Sequence, residues 1–236
     1  MKRGILLAGA LAGTVILLVL TLGRLNRLVE PAMEQSILQK TAPLILDAGH
    51  GGEDGGAVSL TGTPESQINL AIVLKLRDIL GLYGVDPILL RDADISLHDG
   101  DANTLREKKR SDLKNRVAAI EAVEEGTLLS IHQNTYTSSR YSGSHVFYAP
   151  TDGSQALAEH FQNSIKAALQ PDNERAVKQI PDSVYIMNHV TCPAVLIECG
   201  FLTNPVEEAL LRDEDYQRKL AAVIAAGWLT ASDGTE

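Results

Sequence analysis

Leu44-Ile45-Leu46-Asp47-Ala48-Gly49-His50-Gly51-Gly52 decides how the rest of the chain is read. Leu44–Leu46 is a short apolar run of the kind that forms a buried strand in a parallel sheet. Glycines at 49, 51, 52, 55 and 56 follow it, and their backbone freedom predicts a strand end opening into a tight, ligand-facing loop. His50 sits on that loop at the carboxyl end of the strand, where open α/β sheets place their ligands. Farther on, Thr63 reads as an N-cap and Pro64 as the first helical residue, which puts Glu65 in the first turn of a helix. An imidazole and a carboxylate brought together at a sheet edge suggest a metal site, although alone the signal is weak.

Working outward, Ile68, Ile72, Leu76, Ile79 and Leu80 recur at helical spacing and predict a helix over 66–83, stopped by Gly84. Val85–Arg91 reads as a second strand. Asp92–Lys109 reads as a polar surface loop, and a second helix starts at Ser111 or Asp112 and ends before Gly126. Thr127–Ile131 is another buried-strand run and ends in His132-Gln133-Asn134. Ser144–Ala149 reads as a fourth strand, Gln155–Leu169 as a third helix and Val184–Met187 as a short strand. Ala194–Ile197 is the last core strand and ends in Glu198-Cys199-Gly200-Phe201. Helices around Val206–Leu211 and Tyr216–Leu229 close the chain. Strands alternating with helices give an α/β fold, a mostly parallel mixed sheet flanked by helices on both faces, in one domain over 43–232.

With 236 residues, 44% of them hydrophobic and only 4% aromatic, the chain can bury one sizeable core built from Leu, Ile, Val and Ala. Gly4–Gly23 holds no charged residue, follows Lys2-Arg3, and would span about 30 Å as a helix. It is longer than the apolar run of a cleaved signal peptide, so 1–24 is read as an uncleaved N-terminal signal anchor, a transmembrane helix, with 25–42 as a juxtamembrane linker. Lys2 and Arg3 on one side are balanced by Arg24 and Arg27 on the other, so the positive-inside rule barely decides orientation. Of 21 basic residues against 30 acidic ones, three basic residues fall in 1–24, leaving net −12 for the remainder. That disfavours a nucleic-acid partner, which would require a basic face. Cys192 and Cys199 fit no zinc spacing and read as small core residues.

Three apolar strands thus end in residues capable of chemistry: His50, His132 and Glu198. Two histidines and one carboxylate form a common catalytic zinc set with water in the fourth position. Glu198 can supply the missing proton shuttle, first taking a proton from water and then giving it to a leaving amine. Each residue also has a plainer reading. A lone strand-end histidine is more often a hydrogen-bonded structural residue, and a lone Glu65 would be a solvated first-turn carboxylate. Glu198, directly after four apolar residues, is costly to bury unpaired, and the four together favour function. His98, His145, His160 and His189 lack comparable context; of these four, His189 comes nearest to a cleft-lining reading.

These residues resemble a known family. Asp47-Ala48-Gly49-His50-Gly51-Gly52 with Gly62-Thr63-Pro64-Glu65 and Asn69-Leu70 is similar to the opening motif of the zinc-dependent N-acetylmuramoyl-L-alanine amidases. Ser130–Asn134 resembles their second histidine motif, and Pro193–Pro205 their closing catalytic motif. The resemblance runs from Pro43 to Leu229. It implies Zn2+ held by His50, Glu65 and His132, with Glu198 as catalytic acid/base. It also implies cleavage of the amide joining the N-acetylmuramic acid lactyl group to L-Ala of the peptidoglycan stem peptide. The apolar N-terminal segment, the single catalytic domain and Arg106–Arg116 resemble the spore-cortex subgroup, which removes stem peptides so that muramic-δ-lactam can form. A separate deacetylase is also needed for the lactam.

Wall-binding repeats and an inserted helix blocking the zinc site, found in many members, are not seen in the sequence, so placement would rest on the membrane anchor or an accessory protein. Gln133 stands where several relatives carry a smaller residue. The resemblance places the catalytic domain on the extracytoplasmic side. Two other readings share the same residues, a zinc peptidase acting on wall peptides and a non-catalytic wall-binding protein. Product analysis and zinc stoichiometry would separate them.

Overall fold

The computed structural model describes residues 42–231, and the expected signal anchor over 1–24 lies outside them, as does nearly all of the linker. No helix among the described residues is long and apolar enough to cross a membrane. Six strands form one sheet: β1 (Leu44–Ala48), β2 (Ile88–Leu89), β3 (Thr127–Asn134), β4 (His145–Tyr148), β5 (Lys178–Gln179) and β6 (Ala194–Phe201). Their order is β2-β1-β3-β6-β4-β5. β2, β1, β3 and β6 run parallel, while β4 is antiparallel to β6 and parallel to the edge strand β5.

Alternation along each strand divides the core into two layers. Leu44, Leu46 and Ala48 of β1 face one side, where Ile72 and Leu76 of α1 (Glu65–Leu82) pack together with α3 (Ser154–Leu169) and α5 (Glu214–Thr230). Phe161 and Ile165 of α3 and Leu220 and Ile224 of α5 complete that layer. Ile45 faces the other side, against Ile120 of α2 (Leu105–Glu121) and Ile186 and Met187 of a 3-10 turn (Ile186–Asn188). Each such fully buried aliphatic side chain contributes about 1.5–3 kcal/mol. Helices therefore cover both faces, and α4 (Pro205–Arg212) leads into α5.

Several boundaries differ from the sequence expectation. α2 begins at Leu105, inside the stretch expected to be loop. Thr104 accepts a hydrogen bond from the Glu107 amide and Glu107 accepts one from the Thr104 amide, a reciprocal capping box. The charged run Arg106–Arg110 lies in the first turns of this helix, where low hydropathy hid it. Val184–Met187 is not a strand. Asn188 Nδ2 donates to the carbonyls of Pro181 and Val184, closing the backbone locally into the 3-10 turn. α1 starts at Glu65, with the extended Pro64 as its cap residue. Thr63 is not the cap, because it closes a small loop in which its carbonyl accepts from Ser59 N at 2.9 Å. β2 keeps only two of the residues expected of it, and β5 has no apolar pattern to announce it.

Candidate metal centre

Because β1, β3 and β6 run parallel, their carboxyl ends share one edge, and His132 stands opposite Glu198 in the β3–β6 register. The loop after β1 is shaped by what crowds it. His50 adopts a left-handed backbone (φ 62°), a conformation uncommon outside glycine and concentrated at functional sites. Gly49 lies against the His132 imidazole, where any Cβ would overlap the ring. A Cβ at Gly56 would sit 2.7 Å from Glu65 Oε2 and 2.8 Å from the His50 ring. These glycines are required by the close approach of site side chains.

Two buried arginines hold the same loop by its carbonyls. Arg91 donates from Nε to Ala48 O (2.7 Å) and from Nη2 to Gly49 O (3.1 Å) and Ser66 O (2.9 Å). Arg116 donates from Nη1 to Asp47 and to Ala48 O (3.1 Å), from Nη2 to His50 O (2.8 Å), and from Nε to Asp112 Oδ2 (2.8 Å). Ser130 Oγ donates to Asp47 Oδ2 at 2.6 Å. Burial pushes the Asp47 carboxyl up, but the Arg116 charge and these hydrogen bonds outweigh it and hold it below its ordinary value.

His50, Glu65 and His132 each offer one ligand atom, and the three atoms lie within 4.8 Å of one another. The His50 and His132 rings meet edge to face, 5.0 Å between centroids. His50 Nδ1 lies 2.9 Å from Asp54 Oδ2, which leaves Nε2 facing Glu65 Oε1 at 3.6 Å. His132 Nδ1 lies 2.9 Å from the same Oε1. Glu65 is buried and further oriented by donors from Ala57 N (2.9 Å), Gln133 N (3.1 Å) and Asn69 Nδ2 (3.3 Å). Burial pushes its carboxyl up, yet His132, His50 and the Ala57 amide bring it down to about 2. For His132 burial favours the neutral ring, and Glu65, Glu198 and Asp47 overcome it to raise the pKa. Nearby Asp54 is held below its usual range by the hydrogen bond to His50, against partial burial.

Glu198 is different. Burial pushes its carboxyl up to about 7, with Glu65 adding to the rise and His132 opposing it. Its Oε2 is buried with no hydrogen-bond partner among the described residues. A buried carboxyl beside three groups able to hold a metal ion, and pushed up to about 7, suits proton transfer.

The four residues singled out in the sequence therefore converge. His98, His145 and His160 are engaged elsewhere, with Asp99 O, Ala176 O and Thr230 Oγ1 respectively. His189 stacks on Tyr185 at 3.9 Å and its Nδ1 contacts Tyr185 O. Both cysteines are free, and Cys199 is a buried core residue. Sequence reasoning missed Asp54, Arg91 and Arg116 as supports of the site, and gave Asn69 only as part of the opening motif, without its contacts to Glu65 and Gly49 O. The available signals were Asp47, a charge within an apolar strand that demands a partner, and the Asp112/Arg116 pair one helical turn apart.

Comparison with known proteins points to one family. Residues 44–229 match the family model described as N-acetylmuramoyl-L-alanine amidase. A germination-specific N-acetylmuramoyl-L-alanine amidase of Bacillus subtilis (strain 168) is 35% identical over 187 residues, 79% of this chain and 78% of the relative. The structure of the CwlD amidase from Clostridioides difficile in complex with the GerS lipoprotein superposes with a TM-score of 0.75 at 41% identity. That likeness covers 80% of this chain and 96% of the other. An N-acetylmuramoyl-L-alanine amidase from Clostridium difficile 630 superposes at 0.71 with 30% identity, covering 83% and 98%. An α/β fold, a two-histidine, one-carboxylate cluster and a family match over residues 44–229 lead to one conclusion: this chain belongs to the N-acetylmuramoyl-L-alanine amidase family.

Proposed function

We propose that the protein is a zinc-dependent amidase that hydrolyses the amide between the N-acetylmuramic acid lactyl group and L-Ala of the stem peptide. His50 Nε2, a Glu65 carboxylate oxygen and His132 Nδ1 would hold the ion, with Glu198 as acid/base. The observation that carries this reading is the cluster of three ligand atoms within 4.8 Å, faced by a buried carboxyl whose Oε2 has no partner. Two imidazoles and a carboxylate suit zinc, and an open fourth position is the mark of a catalytic site. The Asp54 contact to His50 is the orienting carboxylate–histidine arrangement that zinc ligands typically carry. When bound, zinc lowers the pKa of water to about 7 and polarises a carbonyl.

The chain's own groups do the rest. Asp54 holds the His50 ring, and the Ala57 and Gln133 amides hold the Glu65 carboxylate. Glu198, ionised, takes a proton from the attacking water. As the C–N bond breaks, the same carboxyl returns the proton to the L-Ala nitrogen, and the lactyl carbonyl becomes a carboxylic acid that gives up the second water proton, to the released amine or to solvent, to become a carboxylate.

The likeness to the B. subtilis and C. difficile proteins supports a role in the spore cortex, removing stem peptides ahead of muramic-δ-lactam formation. The apolar stretch within 1–24 supports tethering to the membrane with the domain on the extracytoplasmic side. The lipoprotein complex of the C. difficile relative supports an accessory protein partner here. The experiment is digestion of purified peptidoglycan by the zinc-loaded protein. Stem peptides with free L-Ala amino termini are expected; cleavage within the peptides would overturn the reading in favour of a peptidase.

A further inference from the structure

Past Glu198 the same sheet edge opens into a groove of about 610 Å³, lined by Arg140, Tyr141, Gly143, Gln170, Arg175 and Glu207 among others. Its two cations are available. Neither Arg140 nor Arg175 makes an ion pair among the described residues, whereas Arg77, Arg116, Arg212 and Arg218 do. Arg175 is pinned in place: its Nε donates to Ser142 O at 3.0 Å and its guanidinium lies 4.9 Å from the centre of the Phe201 ring. Tyr141 packs edge-on to Tyr136 at 4.5 Å and forms an aromatic shelf beside it. Glu207, the acid in the wall, is committed to the amides of Gly143 and Phe201, both at 2.8 Å. Asp172 and Glu174 also stand at the groove, both exposed.

The position of this groove gives it a direction. Across the sheet the order is β1, β3, β6, β4, β5, so the ligands after β1 and on β3 come first, Glu198 on β6 next, and the groove beside β4 and β5 last. Ser144, next to Gly143, donates to Cys199 O at 2.6 Å and ties the groove wall to the residue after Glu198. The group that protonates the leaving nitrogen therefore stands between the metal ligands and the groove. A leaving side that continues past Glu198 along this edge would run toward the arginines. On peptidoglycan that side is the stem peptide, which bears free carboxylates. A guanidinium held in place, as that of Arg175 is, recognises carboxylates well, and the exposed Arg140 adds a second positive charge on a domain otherwise strongly acidic.

We propose that Arg140 and Arg175, with the Tyr141 shelf, form a subsite that binds the carboxylates of the stem peptide on the leaving-group side of the scissile amide. The inference rests on the amidase reading for its direction. It predicts that peptides with free carboxylates bind better than amidated ones.

The probe is L-alanyl-γ-D-glutamyl-L-lysine and its fully amidated counterpart, titrated calorimetrically into the zinc-loaded full chain. The acid peptide is expected to bind at least about tenfold more tightly than the amide. Arg140→Gln, at an exposed residue whose side chain makes no contact the fold needs, should weaken the acid peptide by about tenfold and leave the amide unchanged. Arg175→Lys should retain more of the preference than Arg175→Gln. Equal binding of acid and amide, binding of neither, or no effect of Arg140→Gln would overturn the subsite. Turnover of a muramoyl tripeptide separates this from the amidase reading. A raised KM with preserved kcat in the variants supports the subsite. Selective peptide binding without any turnover by the wild type would overturn the amidase reading and leave the subsite standing.

Discussion

His132 and Glu198 face each other across the parallel β3–β6 ladder, so a single register sets a candidate metal ligand against the candidate acid/base. The proximity has an electrostatic cost. Glu198 is kept near pKa 7 by burial and by Glu65, which means its ionised form is unfavourable in the metal-free protein. Its folded value lies above its unfolded one, so its contribution to stability is fully present below the unfolded value and is lost as pH rises through about 7.

In the chelated protein, Glu198→Gln should therefore be more stable than wild type at pH 8, by roughly 2–3 kcal/mol. The gap should close near pH 4–5. Urea melts at both pH values check this; an equal gap at the two would place the effect in packing.

Asp54 should tune the metal without building the fold. Its Oδ2 contact to His50 Nδ1 is part-buried, and its other partners are the Gly56 amide and the exposed Lys109, a surface pair worth little to stability; removal of such an orienting partner typically costs 10–100-fold in metal affinity. Asp54→Ala is expected to lose zinc to a competing chelator at correspondingly lower chelator concentration, with little change in melting of the metal-free form.

Arg116 is expected to act on the fold and on the site together. Arg116→Met strands the buried Asp47 carboxylate and frees two carbonyls of the metal loop, a loss of about 3–5 kcal/mol. The Asp47→Asn/Arg116→Met double variant should recover part of that stability, because the stranded charge is gone. A strictly additive double variant would contradict a direct Asp47–Arg116 coupling.

Gly49→Ala should cost zinc binding more than the usual glycine substitution costs stability, since the new Cβ would meet the His132 ring. Zinc content by mass spectrometry of the purified variant checks it.

The parts of this fold and site that were legible in the sequence are those written locally. The apolar runs before His50, His132 and Glu198 each gave a strand, and parallel strands bring their carboxyl ends together. Pro64 marked the start of the helix that carries Glu65. The start of α2 was also written locally, in Thr104 and Glu107, but the charged run after it masked the capping box. Arg91 and Arg116 were not legible, because their partners lie far along the chain; Asp47 and Arg116 are 69 residues apart. Only the assembled sheet brings those guanidinium groups to the carbonyls of residues 48–50. The 3-10 turn at Ile186–Asn188 was set by Asn188 amide contacts that hydropathy does not report.

The central claim is that His50, Glu65 and His132 hold a zinc ion at which Glu198 moves the proton. The most direct test measures zinc stoichiometry and released fragments for wild type and Glu198→Gln on the same purified peptidoglycan. The expected result is one zinc per chain in both proteins. Wild type releases stem peptides beginning with L-Ala, an activity abolished by chelation and restored by zinc, while the variant turns over about 10²–10⁴-fold more slowly. Full turnover by Glu198→Gln, or release by a wild type from which zinc has been stripped, would contradict it.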